Sequence, residues 1–176
     1  MTRSSSRQTH HAGDLIYDAF YIAGLGGGII ALFFLVYDVV TRGDAFFTPS
    51  LMGTVLFDRV PAESVHTVSM LAMAKFTLVH VMAFSVFGLA FSWLTHQAEM
   101  RSRHPALVIG LVFVALEIAF WLGTSLVLPG VLDRIGVVPV AVANLLAAVG
   151  VGTFLLVTHR PELWLRFKRA AHLTRG

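Results

Sequence analysis

The chain has 176 residues, of which 56% are hydrophobic and only 13% charged. Soluble proteins carry roughly a quarter of their residues as charges, so an ordinary water-soluble domain is excluded. Cysteine is absent, which removes disulfides, zinc–thiolate sites and iron–sulfur clusters. The net charge of +3 is explained below by the placement of its basic residues, without any need for nucleic acid.

Residues 1–13, MTRSSSRQTHHAG, read as a polar tail. Arg3 and Arg7 could open a signal peptide, but Asp14 and Asp18 intervene before an apolar run too long for an h-region. Four apolar runs follow, at about 19–40, 65–94, 106–128 and 135–157. Each is long enough to cross roughly 30 Å of hydrocarbon as a helix. The runs are continuous rather than alternating, which predicts helices and not a closed barrel. The expected fold is an all-α integral membrane protein, a bundle of four transmembrane helices within residues 14–158. The second run is long, so its first turns are expected at the interface or the helix tilts.

The first run contains GLGGG, in which Gly24 and Gly28 form a GxxxG pair. Ala23, Gly27 and Ala31 give a second small stripe on the adjacent face. Small residues allow close backbone approach where lipid supplies no hydrophobic drive. A phosphate-binding loop is a poor reading, since no strand precedes the glycines and no lysine follows. The connection at residues 41–64 contains Thr48-Pro49 before SLMGTVLF. It predicts a short apolar helix with Thr48 as N-cap and Pro49 at its first position. That helix is too short to cross, and is expected to lie in the interface or re-enter part-way, as a lid over the bundle in the favoured reading, or else as a docking surface or the mouth of a pathway.

HQAEMRSRH reads as a short connector before Pro105, and Pro129-Gly130 as a tight turn. The segment 159–176 sets Leu163, Trp164, Phe167 and Ala171 among basic residues. It reads as an amphipathic helix lying on anionic lipid. Nine basic residues (Arg3, Arg7, Arg101, Arg103, Arg160, Arg166, Lys168, Arg169 and Arg175) fall on one side of the predicted spans. Only Arg42, Arg59 and Arg134 fall on the other. The positive-inside rule then places both termini in the cytoplasm, and the expected location is the inner (plasma) membrane.

Asp38, Lys75, His80, Glu117 and the neutral Asn144 lie within or at the ends of these runs. An ionisable group at the bilayer centre costs roughly 2.5–3.5 kcal/mol on insertion scales, so such groups face the bundle interior and take partners. At 1.5 Å of rise per residue, His80 and Glu117 differ in depth by only about 5 Å, and Asn144 falls at a similar level. Asp38 and Lys75 lie nearer the other face. Two layers are therefore expected: an Asp38–Lys75 ion pair, and a central His80–Glu117 hydrogen bond with Asn144 beside it. His80 shares a helical stripe with Met73, Thr77, Phe84 and Phe87, and Glu117 with Gly110, Phe113, Trp121 and Thr124. Asn144 aligns with Ala148 and Gly152 on a small face suited to close packing.

A His–Glu pair has two readings. It can fix helix register as a structural hydrogen bond, or share a proton and serve proton-coupled transport. No metal site is expected, because His80 and Glu117 supply two ligands where a divalent ion generally needs more. His66 and His80 stand fourteen residues apart on one run, the spacing at which helices hold stacked haems. A matching histidine pair on another span is missing, so no cofactor is expected from this chain alone. Neither a GxSxG elbow, HExxH, a P-loop nor a paired aspartate motif occurs.

The stretches LFFLVYDVVTRGDAFFTPSLMGTVLF, VHVMAFSVFGLAF, ALEIAFW and VANLLAAVGVG together resemble a group of small four-helix bacterial membrane proteins. The resemblance covers about residues 24–158. It implies architecture, and the group has no assigned activity to carry over. The functional expectation is a non-catalytic polytopic membrane protein, an accessory or assembly subunit of a larger complex or a homo-oligomer in the lipid bilayer. A proton-coupled transporter using His80 and Glu117 is the alternative, and a haem-binding redox subunit the second.

Overall fold

A computed structural model describes residues 12–97 and 105–159. The tail before residue 12, most of the HQAEMRSRH connector and the basic segment from Arg160 onward lie outside the described residues. All regular structure among the described residues is helical. In chain order the elements are α1 (Ala12–Arg42), α2 (Phe47–Gly53), α3 (Met70–Gln97), α4 (Pro105–Val127), α5 (Val131–Ile135) and α6 (Val137–His159). A π-helical turn, Thr54–Asp58, continues α2, and a short 3-10 turn, Ala62–Ser64, follows it. Four helices, α1, α3, α4 and α6, are long and apolar enough to cross a membrane.

The boundaries follow local chemistry. α1 stops at Gly43, whose φ of 75° is left-handed and suits glycine at a helix C-terminus. The Gly43 N–H closes the last turn on the Val39 carbonyl at 3.1 Å. α3 starts at Met70, five residues later than the apolar run alone suggests. Ser69 sets that start, because its hydroxyl accepts the Ala72 N–H at 3.3 Å and supplies the side-chain cap that Val65 cannot. α1 begins earlier than the run, so Asp18 lies within the helix and is buried. Between α4 and α6, Gly130 at φ 75° and Gly136 at φ 92° bracket the short α5.

The long helices pack in the order α3–α1–α6–α4. Among the described residues α3 and α4 scarcely touch. α6 is the central helix: 50% of its most apolar window is buried, against 6% for α3. Contacts between helices in lipid rest on close packing rather than on escape from water, and small residues mark the close approaches here. A Cβ at Gly88 of α3 would collide with the Ala19 carbonyl and press on Ala23 of α1. A Cβ at Gly152 of α6 would lie 2.6 Å from Ile109 of α4.

The core falls into two parts. One, around Phe34, Leu51, Val55, Val131 and Ala143, joins α2 and α5 to the ends of the long helices. The other, around Ile22, Val112, Ala147 and Val151, fills the opposite half. α2 is buried at Phe47, Thr48, Ser50, Leu51, Met52 and Gly53, so it is a lid packed into the bundle. Gly53 permits this, since a Cβ there would collide with the Ala72 carbonyl of α3.

Candidate functional site

At the lid end, Asp38 of α1 is completely buried. Its carboxylate accepts the Thr48 N–H at 2.6 Å and the Thr48 hydroxyl at 2.9 Å. The first N–H groups of a helix have no partner within it, and negative charge is favoured there. Asp38 thus caps α2 from another helix. The expected side-chain cap by Thr48 is not formed: α2 begins two residues earlier than expected, with Phe46 at the N-cap, and Thr48 donates to Asp38 instead.

Arg42, one turn after Asp38, lies 3.5 Å from its carboxylate and donates to the Arg134 carbonyl at 2.8 Å. Arg134 in turn donates to the Val65 carbonyl at 2.8 Å. Both guanidinium groups lie near the Phe47 ring, 4.3 Å and 5.8 Å from its centroid, within cation–π range. These residues tie α1, α2, α5 and the approach to α3 together.

The expected Asp38–Lys75 pair is corrected by this arrangement. Lys75 lies 3.7 Å from Asp58 and 5.6 Å from the Phe57 ring centroid, both in the turn that continues α2. Asp38 satisfies its carboxylate on the lid and on its own helix, and Lys75 meets the lid's far end.

In the middle of the bundle, Glu117 of α4 accepts the Asn144 side-chain N–H from α6 at 2.9 Å. Its other oxygen accepts the Trp121 indole N–H at 3.1 Å, one turn along α4. His80 of α3 is not bonded to Glu117. Its Nε2 lies 3.1 Å from the Gly27 carbonyl of α1. A carbonyl only accepts, so Nε2 carries the proton and Nδ1 of the neutral ring is left as an acceptor. The ring packs on Phe84, centroid to centroid 4.7 Å, and on Phe76 at 6.0 Å.

The expected His80–Glu117 hydrogen bond is therefore replaced by two separate contacts. Counting rise along each helix gives height in the membrane, not which helices are neighbours. α1 and α6 lie between α3 and α4 in the packing order, so residues at matched depth meet the intervening helices.

The glycines of α1 divide by face. A Cβ at Gly27 would lie 3.0 Å from the Phe84 ring, and one at Gly26 would lie 3.3 Å from Val151 and 3.4 Å from Phe84. These two let α1 press against α3 and α6, and Gly27 brings its carbonyl to His80. Gly24 and Gly28, the GxxxG pair, face open space, with nothing within 4 Å among the described residues. Ala148 is buried, and Gly152 meets α4.

Between the two core regions lies a cavity of about 480 Å³, walled by α1, α3, α4 and α6 and capped by α2. The stripe Met73, Thr77, His80, Phe84 and Phe87 of α3 forms one side. Phe34, Met52, Leu116, Phe120, Val140 and Asn144 are among the facing residues. Such a volume, mostly apolar with a few polar atoms, has the character of a small-molecule site. Lining residues Ala31, Thr77, Ala83 and Ala119 are exposed, so the cavity opens sideways.

Three participants were not singled out from the sequence: Thr48 as partner of Asp38, Arg134 in the lid network, and Trp121 as donor to Glu117. Trp121 carried a usable signal, since it stands four residues after Glu117 on the same helical stripe. Arg134 carried none, because its guanidinium donates to the Val65 backbone carbonyl and its own carbonyl accepts from Arg42, both far away in the chain. His66 is exposed ahead of α3 and does not line the cavity. Among the described residues, no three of His, Cys, Asp or Glu come together as a metal ligand set.

Fold and site together define an all-helical protein, with four helices able to cross a membrane, a buried capping lid and a laterally open apolar cavity. No protein-family model, curated protein or solved structure matches the chain.

Proposed function

We propose that the chain is a non-catalytic polytopic membrane protein that serves as an accessory or assembly subunit of a larger membrane complex. The observation that carries this reading is the open Gly24–Gly28 face of α1. Among the described residues nothing lies within 4 Å of a Cβ built at either position. A GxxxG face in lipid favours close contact with another helix, and this one is left for a helix from outside the chain. The non-catalytic part rests on the polar groups. Asp38, His80 and Glu117 are each engaged in bonds that position helices or the lid. The proton-coupled alternative loses the His80–Glu117 contact that motivated it.

The charge distribution supports both termini in the cytoplasm and the lid on the opposite side, and the resemblance to small bacterial membrane proteins favours a bacterial inner membrane. The interfacial placement of α2 and the membrane-surface helix at 159–176 belong to the same reading.

The test is gentle purification of the full chain from its native membrane, followed by mass spectrometry of its companions. A partner chain should accompany the wild type and be lost from the Gly24→Ile/Gly28→Ile variant. That variant should keep the thermal stability of the isolated chain, because the face it alters is open. Recovery of the wild type as a lone monomer overturns the reading.

A further inference from the structure

We propose that the bundle cavity is a binding site for a neutral, hydroxyl-bearing apolar molecule, an alcohol or phenol of lipid character that enters sideways from the bilayer. The proposal is independent of the accessory-subunit reading and rests on the hydrogen-bonding capacity of the cavity wall. Four polar side chains line it: Thr48, Thr77, His80 and Asn144.

Three of these have already donated their only side-chain proton. The Thr48 hydroxyl donates to Asp38 at 2.9 Å, the Thr77 hydroxyl to the Met73 carbonyl at 2.9 Å, and His80 Nε2–H to the Gly27 carbonyl at 3.1 Å. What they keep toward a ligand is acceptor capacity, namely two hydroxyl oxygens and His80 Nδ1. Asn144 gives one N–H to Glu117 and keeps its carbonyl oxygen with one further N–H. The wall is thus rich in acceptors and poor in donors, and it matches a ligand that brings its own O–H. A ligand carrying only an ether or ketone oxygen has no proton to donate to any of these acceptors.

The remaining chemistry sets the rest of the ligand. Among the described residues no Asp, Glu, Lys or Arg lines the cavity, so the wall offers no partner for a charged head group and the ligand it suits is neutral. Phe76, Phe84 and Phe120 on opposing walls suit an aromatic ring or a flexible chain. The volume of about 480 Å³ accommodates a molecule of drug or single-chain lipid size. Exposed Ala31, Ala83 and Ala119 at the wall, with α3 and α4 scarcely touching, give it a lateral entrance.

The full chain in phosphatidylcholine nanodiscs tests this with two matched probes, 4-dodecylphenol and its methyl ether. They share the tail and ring and differ in the donated proton. A ligand that binds only the folded state raises the unfolding midpoint in a saturable way. The phenol should do so at about tenfold lower mole fraction than the ether, the difference for one hydrogen bond. His80→Phe should narrow that preference to about threefold or less on the same scale. Ala119→Trp, placed at an exposed wall position that the core does not use, should fold normally and abolish saturable stabilisation by both probes. Equal action of phenol and ether on the wild type overturns the proposal. So does the absence of saturable stabilisation by either, or phenol stabilisation that survives in the Ala119→Trp variant. Should His80→Phe fail to fold, the wild-type preference and the Ala119→Trp result decide the matter.

Discussion

Asp38 and Thr48 stand ten residues apart, on either side of a helix break, and are joined by two hydrogen bonds within a fully buried site. The carboxylate of one helix does the work that a capping side chain usually does within the next. Through this contact the lid is held on the bundle and the cavity beneath it acquires a roof.

Removing that carboxylate should be the most damaging polar substitution at the lid end. Asp38→Ala leaves the Thr48 N–H and hydroxyl buried without partners, at about 1–3 kcal/mol for each group left unmet. Thr48→Val removes one bond and keeps the backbone contact, so its loss should be smaller. Lys75→Gln should be milder still, because the Lys75–Asp58 pair is exposed at both ends and such pairs contribute roughly 0–1 kcal/mol. Thermal unfolding of the three variants in one detergent checks the order; equal losses for Asp38→Ala and Lys75→Gln would contradict the lid network.

Glu117 and Asn144 should be energetically coupled, whereas Glu117 and His80 should not. Contacting residues in one network show interaction energies of about 0.5–3 kcal/mol, and independent sites add within about 0.5 kcal/mol. Two double-mutant cycles measure this, one with Glu117→Leu and Asn144→Leu, the other with Glu117→Leu and His80→Leu. Strong coupling in the second cycle would restore the direct pair that the sequence alone suggests.

Gly88 should tolerate no side chain, while Gly24 should tolerate several. Gly88→Val forces α3 away from the Ala19 carbonyl, and overpacking of this kind costs typically about 1–3 kcal/mol. Gly24→Val meets open space and should leave the isolated chain's unfolding midpoint unchanged. A loss at Gly24 equal to that at Gly88 would place the close helix contact on the wrong face.

The topology can be read by thiol labelling, because the chain has no native cysteine. Ser64→Cys, exposed at the lid end, should react with a membrane-impermeant maleimide added outside intact spheroplasts. Ser5→Cys in the N-terminal tail should react only after permeabilisation. The reverse pattern would invert the proposed orientation.

The four long helices were readable because their signal is local: unbroken apolar length, with boundaries marked by Pro105 and Pro129-Gly130. The stripe from Met73 to Phe87 lines the cavity, with Thr77 at its exposed edge. The polar groups expected inside the spans were readable in part: Asp38 and Asn144 are buried and His80 and Glu117 partly so, whereas Lys75 sits in an exposed pair. Their partners were less accessible. Matched depth suggested His80 for Glu117 and Lys75 for Asp38, and in both cases the side chain found another group at similar height on a different helix.

By itself the sequence determined that this chain is helical, built to span a membrane, and obliged to hide a few polar groups within it. Those properties follow from composition and spacing along one chain. Only the tertiary structure decided that α1 and α6 separate α3 from α4, that Gly26 and Gly27 rather than Gly24 and Gly28 meet neighbouring spans, and that His80 lines a cavity. In lipid all apolar helix faces are nearly equivalent, so neighbours are chosen by close shape and a handful of hydrogen bonds. That choice sets which side chains meet across helices, and it becomes visible only when all the helices are placed together.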